Sequence, residues 1–183
     1  MYGIIHKALK EMVVRDFGQE KWEKIESEAA QSKEIFVSMQ PYSDDIVYAL
    51  IGAASKELGA PVDECLQMFG RYWILDAAPE SYSNILDATG SEIVHFIQNI
   101  NSLHDRITST FPDYVPPEFF IEPIGESLYK INYLSTRAGL SPFVVGLLQG
   151  LGTRFDTEID IQKAEQIECD SGEEWAFTVH IPG

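Results

Sequence analysis

The hydrophobic period turns from helical to two near residue 111, and that change sets the fold class. Before it, apolar residues return at helical spacing. They run Ile4, Ile5, Ala8, Leu9, Met12, Val13 and Phe17, then Trp22, Ile25 and Ala29, then Ile46, Val47, Leu50, Ala54 and Leu58. After it the period is two, in Glu118 to Glu122, Leu128 to Arg137, Thr157 to Cys169 and Glu174 to Ile181. Those four runs read as two hairpins, one about Gly125-Glu126 and one across Asp170-Ser171-Gly172. Between them Ser141-Pro142 caps and opens a helix through Phe143, Val144, Leu147, Leu148 and Leu151. It is apolar nearly all round and therefore buried. Helices first and strands afterwards predict an α+β fold. The helical part spans 1–110 and the sheet part 111–183, a four-stranded antiparallel sheet with one buried helix. With no internal repeat or linker, 1–183 reads as one domain.

Local signals set the helix ends. Gly18 stops the first helix and Gly59 the third, which starts at Ser43 as N-cap with Asp44 and Asp45 in its first turn. Pro61 opens a helix through Val62, Leu66, Phe69 and Trp73, and a separate short helix is expected around Tyr82 to Asp87. Ser91 begins the next, carrying Ile93, Phe96, Ile97, Ile100, Leu103 and Ile107 on one stripe, and Phe111-Pro112 ends it.

The 183 residues carry 29 acidic against 13 basic groups, a formal charge of −16. That balance argues against nucleic acid and anionic membrane surfaces, which need a basic footprint. An anionic ligand would meet a repulsive average field and need a local cation. Cys65 and Cys169 lack CxxC spacing, so neither a disulfide framework nor a zinc site is indicated. Without a signal-peptide profile or a long apolar run, a cytoplasmic location is expected.

One strand end combines apolar and polar groups usefully. Alternation puts Tyr133, Ser135 and Arg137 on one face, continuing Tyr129 and Ile131. An apolar wall running into a phenol, a hydroxyl and a guanidinium suits a flat apolar ligand with carboxylates at one edge. An edge strand whose polar end meets water would show the same spacing. The second signal is His104. At about 100° per residue, it falls on the apolar stripe of its helix while His95 faces water. Such a histidine is commonly a core residue bonded to a carbonyl, but a neutral, desolvated imidazole is also what an axial haem ligand requires.

With both signals in place, the sequence resembles the haem–nitric oxide/oxygen-binding (H-NOX) family, the sensor domain also found in soluble guanylate cyclases. The family's Tyr-x-Ser-x-Arg signature is matched by Tyr133-Leu134-Ser135-Thr136-Arg137, with Ser102-Leu103-His104 upstream. Met1-Tyr2-Gly3-Ile4-Ile5, Tyr42-Ser43-Asp44-Asp45, Phe69-Gly70-Arg71-Tyr72-Trp73 and Gly146-Leu147-Leu148-Gln149-Gly150 fit as well. The resemblance implies haem b (iron protoporphyrin IX) between the helical and sheet parts. By position, His104 is the implied iron ligand and Tyr133, Ser135 and Arg137 the clamp on the propionates. Pro117, or Pro116 beside it, would press on the porphyrin, and Ile5, Leu9 and Trp73 would line the distal wall.

Oxygen-binding members carry a tyrosine early in the helix after the arginine. Ala138 to Gly150 has none, with Pro142 and Phe143 at that place. The implied function is therefore a sensor, not an enzyme, that takes nitric oxide and carbon monoxide but not oxygen stably. It would signal by weakening the His104–iron bond to a separate partner, such as a histidine kinase or cyclic-di-GMP enzyme. Two other readings stand beside it: a peroxidase-type haem enzyme, with His6 as the distal candidate, and a haem-free module binding another apolar carboxylate through Arg137.

Overall fold

The computed structural model describes residues 1–29, 36–111, 113–170 and 172–182. Its helices are α1 (Gly3–Phe17), α2 (Gln19–Glu28), α3 (Asp44–Leu58), α4 (Val62–Tyr72), α5 (Ala78–Thr89), α6 (Ile93–Thr110) and α7 (Ser141–Arg154). Strands β1 (Glu118–Gly125), β2 (Leu128–Ser135), β3 (Asp160–Ile167) and β4 (Glu173–His180) form one antiparallel sheet in the order β1-β2-β4-β3. The α+β class expected from the period change is the observed one. No helix among the described residues is long and apolar enough to cross a membrane.

The start of α3 follows the local rules. The Ser43 hydroxyl accepts from the Asp45 N–H at 3.3 Å, and Asp44 and Asp45 sit at the positive end of the dipole. Gly59 closes the helix in the left-handed region at φ 67°.

Elsewhere tertiary packing overrides the local signals. The helix opened by Pro61 does not stop at Trp73. It continues through a π-helical turn over Trp73–Ala77 directly into α5, which kinks at Tyr82. Nothing between Trp73 and Ala78 breaks a helix, and Pro79, just past the π turn, lacks the N–H that would continue the ladder from Ala78. Ser91 is not the cap of α6; Glu92 holds that place without a side-chain cap. In α7 the cap is Leu140, one residue before Ser141. The expected Phe111-Pro112 stop and the Asp170-Ser171-Gly172 turn each include a residue, Pro112 and Ser171, outside the described ones.

Two apolar cores result. One is wholly helical, around Leu9, Val13, Trp22, Ile25 and Leu50, with Cys65 buried in it. The other joins α5, α6 and α7 to the sheet. There Ile131 faces Phe177 and Tyr129 faces Val179 across β2 and β4, against Val144, Leu148 and Leu151 of α7. Trp73 packs against both cores. They are joined where α4 crosses α7. A Cβ on Gly70 would stand 2.2 Å from the Phe143 carbonyl oxygen, and one on Gly146 would stand 2.1 Å from that of Gln67. Only glycine permits that approach.

Candidate functional site

Between the two cores lies a cavity of about 320 Å³, within the size range of small-molecule sites. Its wall is largely aliphatic and aromatic: Ile5 from α1, Trp73 from the π turn, Ile100 and Ile107 from α6, and Phe143 and Leu147 from α7. Arg137 is the only lysine or arginine among the described wall residues.

His104 reaches this wall because its helix turns its apolar stripe toward the sheet. The ring Nδ1 lies 3.0 Å from the Pro117 carbonyl oxygen. A carbonyl only accepts, so Nδ1 carries the proton and Nε2 keeps its lone pair, without a hydrogen-bond partner among the described residues. Burial pushes the imidazole pKa down, and the bond to Pro117 opposes that only in part. The ring is therefore a neutral base at physiological pH. Pro117, and not Pro116, lines the cavity. Among the described residues no group of three or more His, Cys, Asp or Glu could cage a metal ion, so His104 stands as a single imidazole.

The Tyr-x-Ser-x-Arg segment is built differently from three parallel donors on a strand. β2 ends at Ser135, and Arg137 lies beyond it in a bend. The Ser135 hydroxyl accepts from the Arg137 N–H at 3.0 Å. Serine thus braces the backbone where Arg137 leaves the strand. Tyr133 is 2% exposed, and burial raises its phenol pKa. All three side chains meet on the cavity wall.

Arg137 already has anionic company. Its Nε donates to Asp44 Oδ2 at 2.7 Å and its Nη1 to the Val115 carbonyl at 2.8 Å. Asp44 also accepts from the Met1 ammonium. Burial alone would raise the Asp44 pKa, but the hydrogen bond from the ammonium and the charge of Arg137 outweigh it and hold the carboxyl below the usual range. Nearby, Tyr48 donates to the Ala138 carbonyl at 2.9 Å. The Glu173 carboxylate, 5% exposed, accepts from the Gly139 N–H and the Trp175 indole. Together these contacts fix the bend that presents Arg137.

Ile5, Trp73, Pro117, His104, Tyr133, Ser135 and Arg137 all line the cavity. Leu9 does not: it is 1% exposed and sealed in the helical core, because one further turn of α1 carries it past the cavity. His6 is off the wall too. It is buried, stacked on Phe36 at 4.2 Å with Nδ1 facing the Tyr2 carbonyl, so it offers no acid–base group to the cavity. The sequence reading missed Tyr2, Tyr82 and Tyr114 on the wall. Burial pushes the Tyr114 phenol up to about 12, and the charge of Arg137 pulls against that. It also missed Asp44 as the partner of Arg137. No local signal announces that pair, since the residues meet only through the fold.

The residues present fit a haem group. A slot between hydrocarbon walls matches its flat body, the unbonded Nε2 of His104 matches the iron, and the Arg137 corner matches the acid edge. Comparison with known proteins agrees. A sequence model described as haem-NO-binding matches residues 2–163. Soluble guanylate cyclase gcy-37 of Caenorhabditis elegans is 30% identical over 171 residues, covering 91% of this chain and 24% of that protein. Soluble guanylate cyclase 89Db of Drosophila melanogaster is 24% identical over 155 residues, covering 85% and 23%. The chain thus spans about a quarter of the length of these relatives.

Among solved structures, an H-NOX protein from S. oneidensis in the Fe(II)NO state covers 100% of both chains, at 18% identity and a TM-score of 0.85. An unliganded Fe(II) H-NOX mutant from K. algicida covers 100% of this chain and 97% of its own, at 24% identity and a TM-score of 0.82. At these identities the likeness carries the fold. The haem-NO-binding match, by contrast, extends over most of the sequence, and the chain belongs to the H-NOX family of haem-based gas-sensor domains.

Proposed function

We propose that this chain holds haem b through His104 and senses nitric oxide, taking carbon monoxide as well and excluding stable oxygen binding. The observation that carries the reading is the Nδ1–H bond from His104 to the Pro117 carbonyl. It selects the tautomer whose Nε2 is a lone-pair donor and orients the ring, as the outer partner of a metal-bound histidine does. Bound haem would supply a ferrous iron able to take a diatomic gas.

The chain's own residues do the rest. Tyr133, Ser135 and Arg137 hold the acid edge, with Asp44 setting the guanidinium in place. Of the wall residues Ile5, Trp73 and Phe143 only Trp73 carries a donor, its indole N–H, and Ala138 to Gly150 contains no tyrosine. Stable oxygen binding needs such a donor, because charge develops on the outer oxygen; nitric oxide does not. A change in how His104 is held would let α6 shift between two packings, which is the step that would reach a partner. A histidine kinase or cyclic-di-GMP enzyme is the expected effector.

The test is absorbance of the ferrous protein under each gas. Spectra that change with nitric oxide and carbon monoxide, and a rapid passage to ferric protein in air, fit the reading. A long-lived oxygen complex would remove the selectivity, and no haem spectrum at all would remove the function.

A further inference from the structure

His104 is not the only contact between α6 and the sheet. One turn earlier on the same face, the Asn101 side chain makes both hydrogen bonds that a neighbouring strand would make to Phe119 of β1. Its Nδ2 donates to the Phe119 carbonyl at 2.7 Å, and its Oδ1 accepts from the Phe119 N–H at 3.0 Å. Because one partner must donate and the other accept, the amide orientation is fixed by the pair. Two residues before Phe119 stands Pro117, whose carbonyl takes the His104 proton.

A helix held to a strand at one point can slide or roll about it. Two contacts a turn apart stop both motions. The His104 bond is 3.0 Å long, so a slide of roughly 1 Å exceeds hydrogen-bonding range.

We propose that Asn101 is the positioning residue for His104, setting the height and roll of α6 on β1 so that Nδ1 meets Pro117 and Nε2 faces the cavity. The proposal deepens the haem reading and rests on it for what His104 does, but not for how His104 is held. It also makes α6 and β1 one body about Asn101, so a displaced His104 would carry the exposed β1 residues Phe120 and Ile124 with it. Asn99 provides the contrast. It lies on the same helix and donates to the Thr89 carbonyl at 2.9 Å, tying α6 to α5 instead of to the strand.

The experiment uses haem-free protein carrying nitrogen-15 in its histidines, with the His104 ring signals assigned by their loss in His104→Gly. Wild type should show two well-separated ring nitrogens, protonated Nδ1 and bare Nε2. Asn101→Ala should bring them together toward the average of two exchanging tautomers, whereas Asn99→Ala should leave them apart. Asn101→Asp keeps the bond from the Phe119 N–H and sets a carboxylate against the carbonyl. It should shift the signals the same way, and it serves if the alanine variant does not fold. Unchanged signals in both Asn101 variants, or equal averaging in Asn99→Ala, would overturn the proposal. Because haem is absent throughout, a wild type unable to take up haem would sink the functional reading and leave this result standing.

Discussion

The two cores of this molecule touch along two seams of opposite chemistry. At the α4–α7 seam the contact is backbone on backbone, permitted by Gly70 and Gly146. At the other, beside the cavity, contact is made by charge and hydrogen bonds: the Met1 ammonium on Asp44, Asp44 on Arg137, Arg137 on the Val115 carbonyl, and Tyr48 on the Ala138 carbonyl. A close-packed seam has one geometry and resists change. A seam of part-exposed polar contacts can break and re-form with little loss of packing. The molecule thus has a fixed side and an adjustable side, and the cavity opens at the adjustable one.

The contrast can be broken from either side. Gly146→Ala should have the largest effect, destabilising the fold by about 3 kcal/mol through overpacking, because the new Cβ would meet the Gln67 carbonyl. A denaturant midpoint close to that of wild type would contradict a rigid seam. Arg137→Ala removes the cation from the polar seam. Haem affinity should fall about tenfold, the loss of one charge-assisted hydrogen bond, with a smaller change in folding stability.

The polar seam should also respond to acid. Asp44 has a folded pKa below its unfolded one, so its stabilising contribution is complete above the usual carboxylate value and is lost as pH falls through the folded value. The lowered pKa of His104 has the same sign and acts earlier, from about 6.5 downward. Midpoints of Asp44→Asn should therefore converge on wild type in acid and separate near neutrality. Parallel curves would show that the carboxylate does not hold the seam. Tyr48→Phe, removing one bond at the same seam, should cost least, about 1 kcal/mol, and should lower haem affinity less than Arg137→Ala does.

How far the sequence revealed this arrangement depends on the range of each interaction. The α+β division, the hairpins, the α3 cap and the burial of α7 follow from periodicity and from neighbours in the chain. His104 was legible because an imidazole on an apolar stripe is a local anomaly, and Tyr133 because strand alternation places it. Arg137 reaches the wall by a bend beyond the strand, held by Glu173 and Ser135, which alternation does not describe. Asp44 read as a helix-dipole residue, and its pairing with Arg137 spans 93 positions. Leu9 was misplaced because a core face and a cavity wall on one helix carry the same residue types. Asn101 gave no signal, since a polar residue on a helix is ordinary until the strand beside it is known.

The central claim is that the bare Nε2 of His104 is where the cavity's occupant is bonded. The visible spectrum of haem-loaded His104→Gly, with and without added imidazole, tests it most directly. The account predicts loss of the wild-type ferrous spectrum in the variant and its recovery when imidazole fills the vacated space. A variant that keeps the wild-type spectrum without imidazole would contradict it.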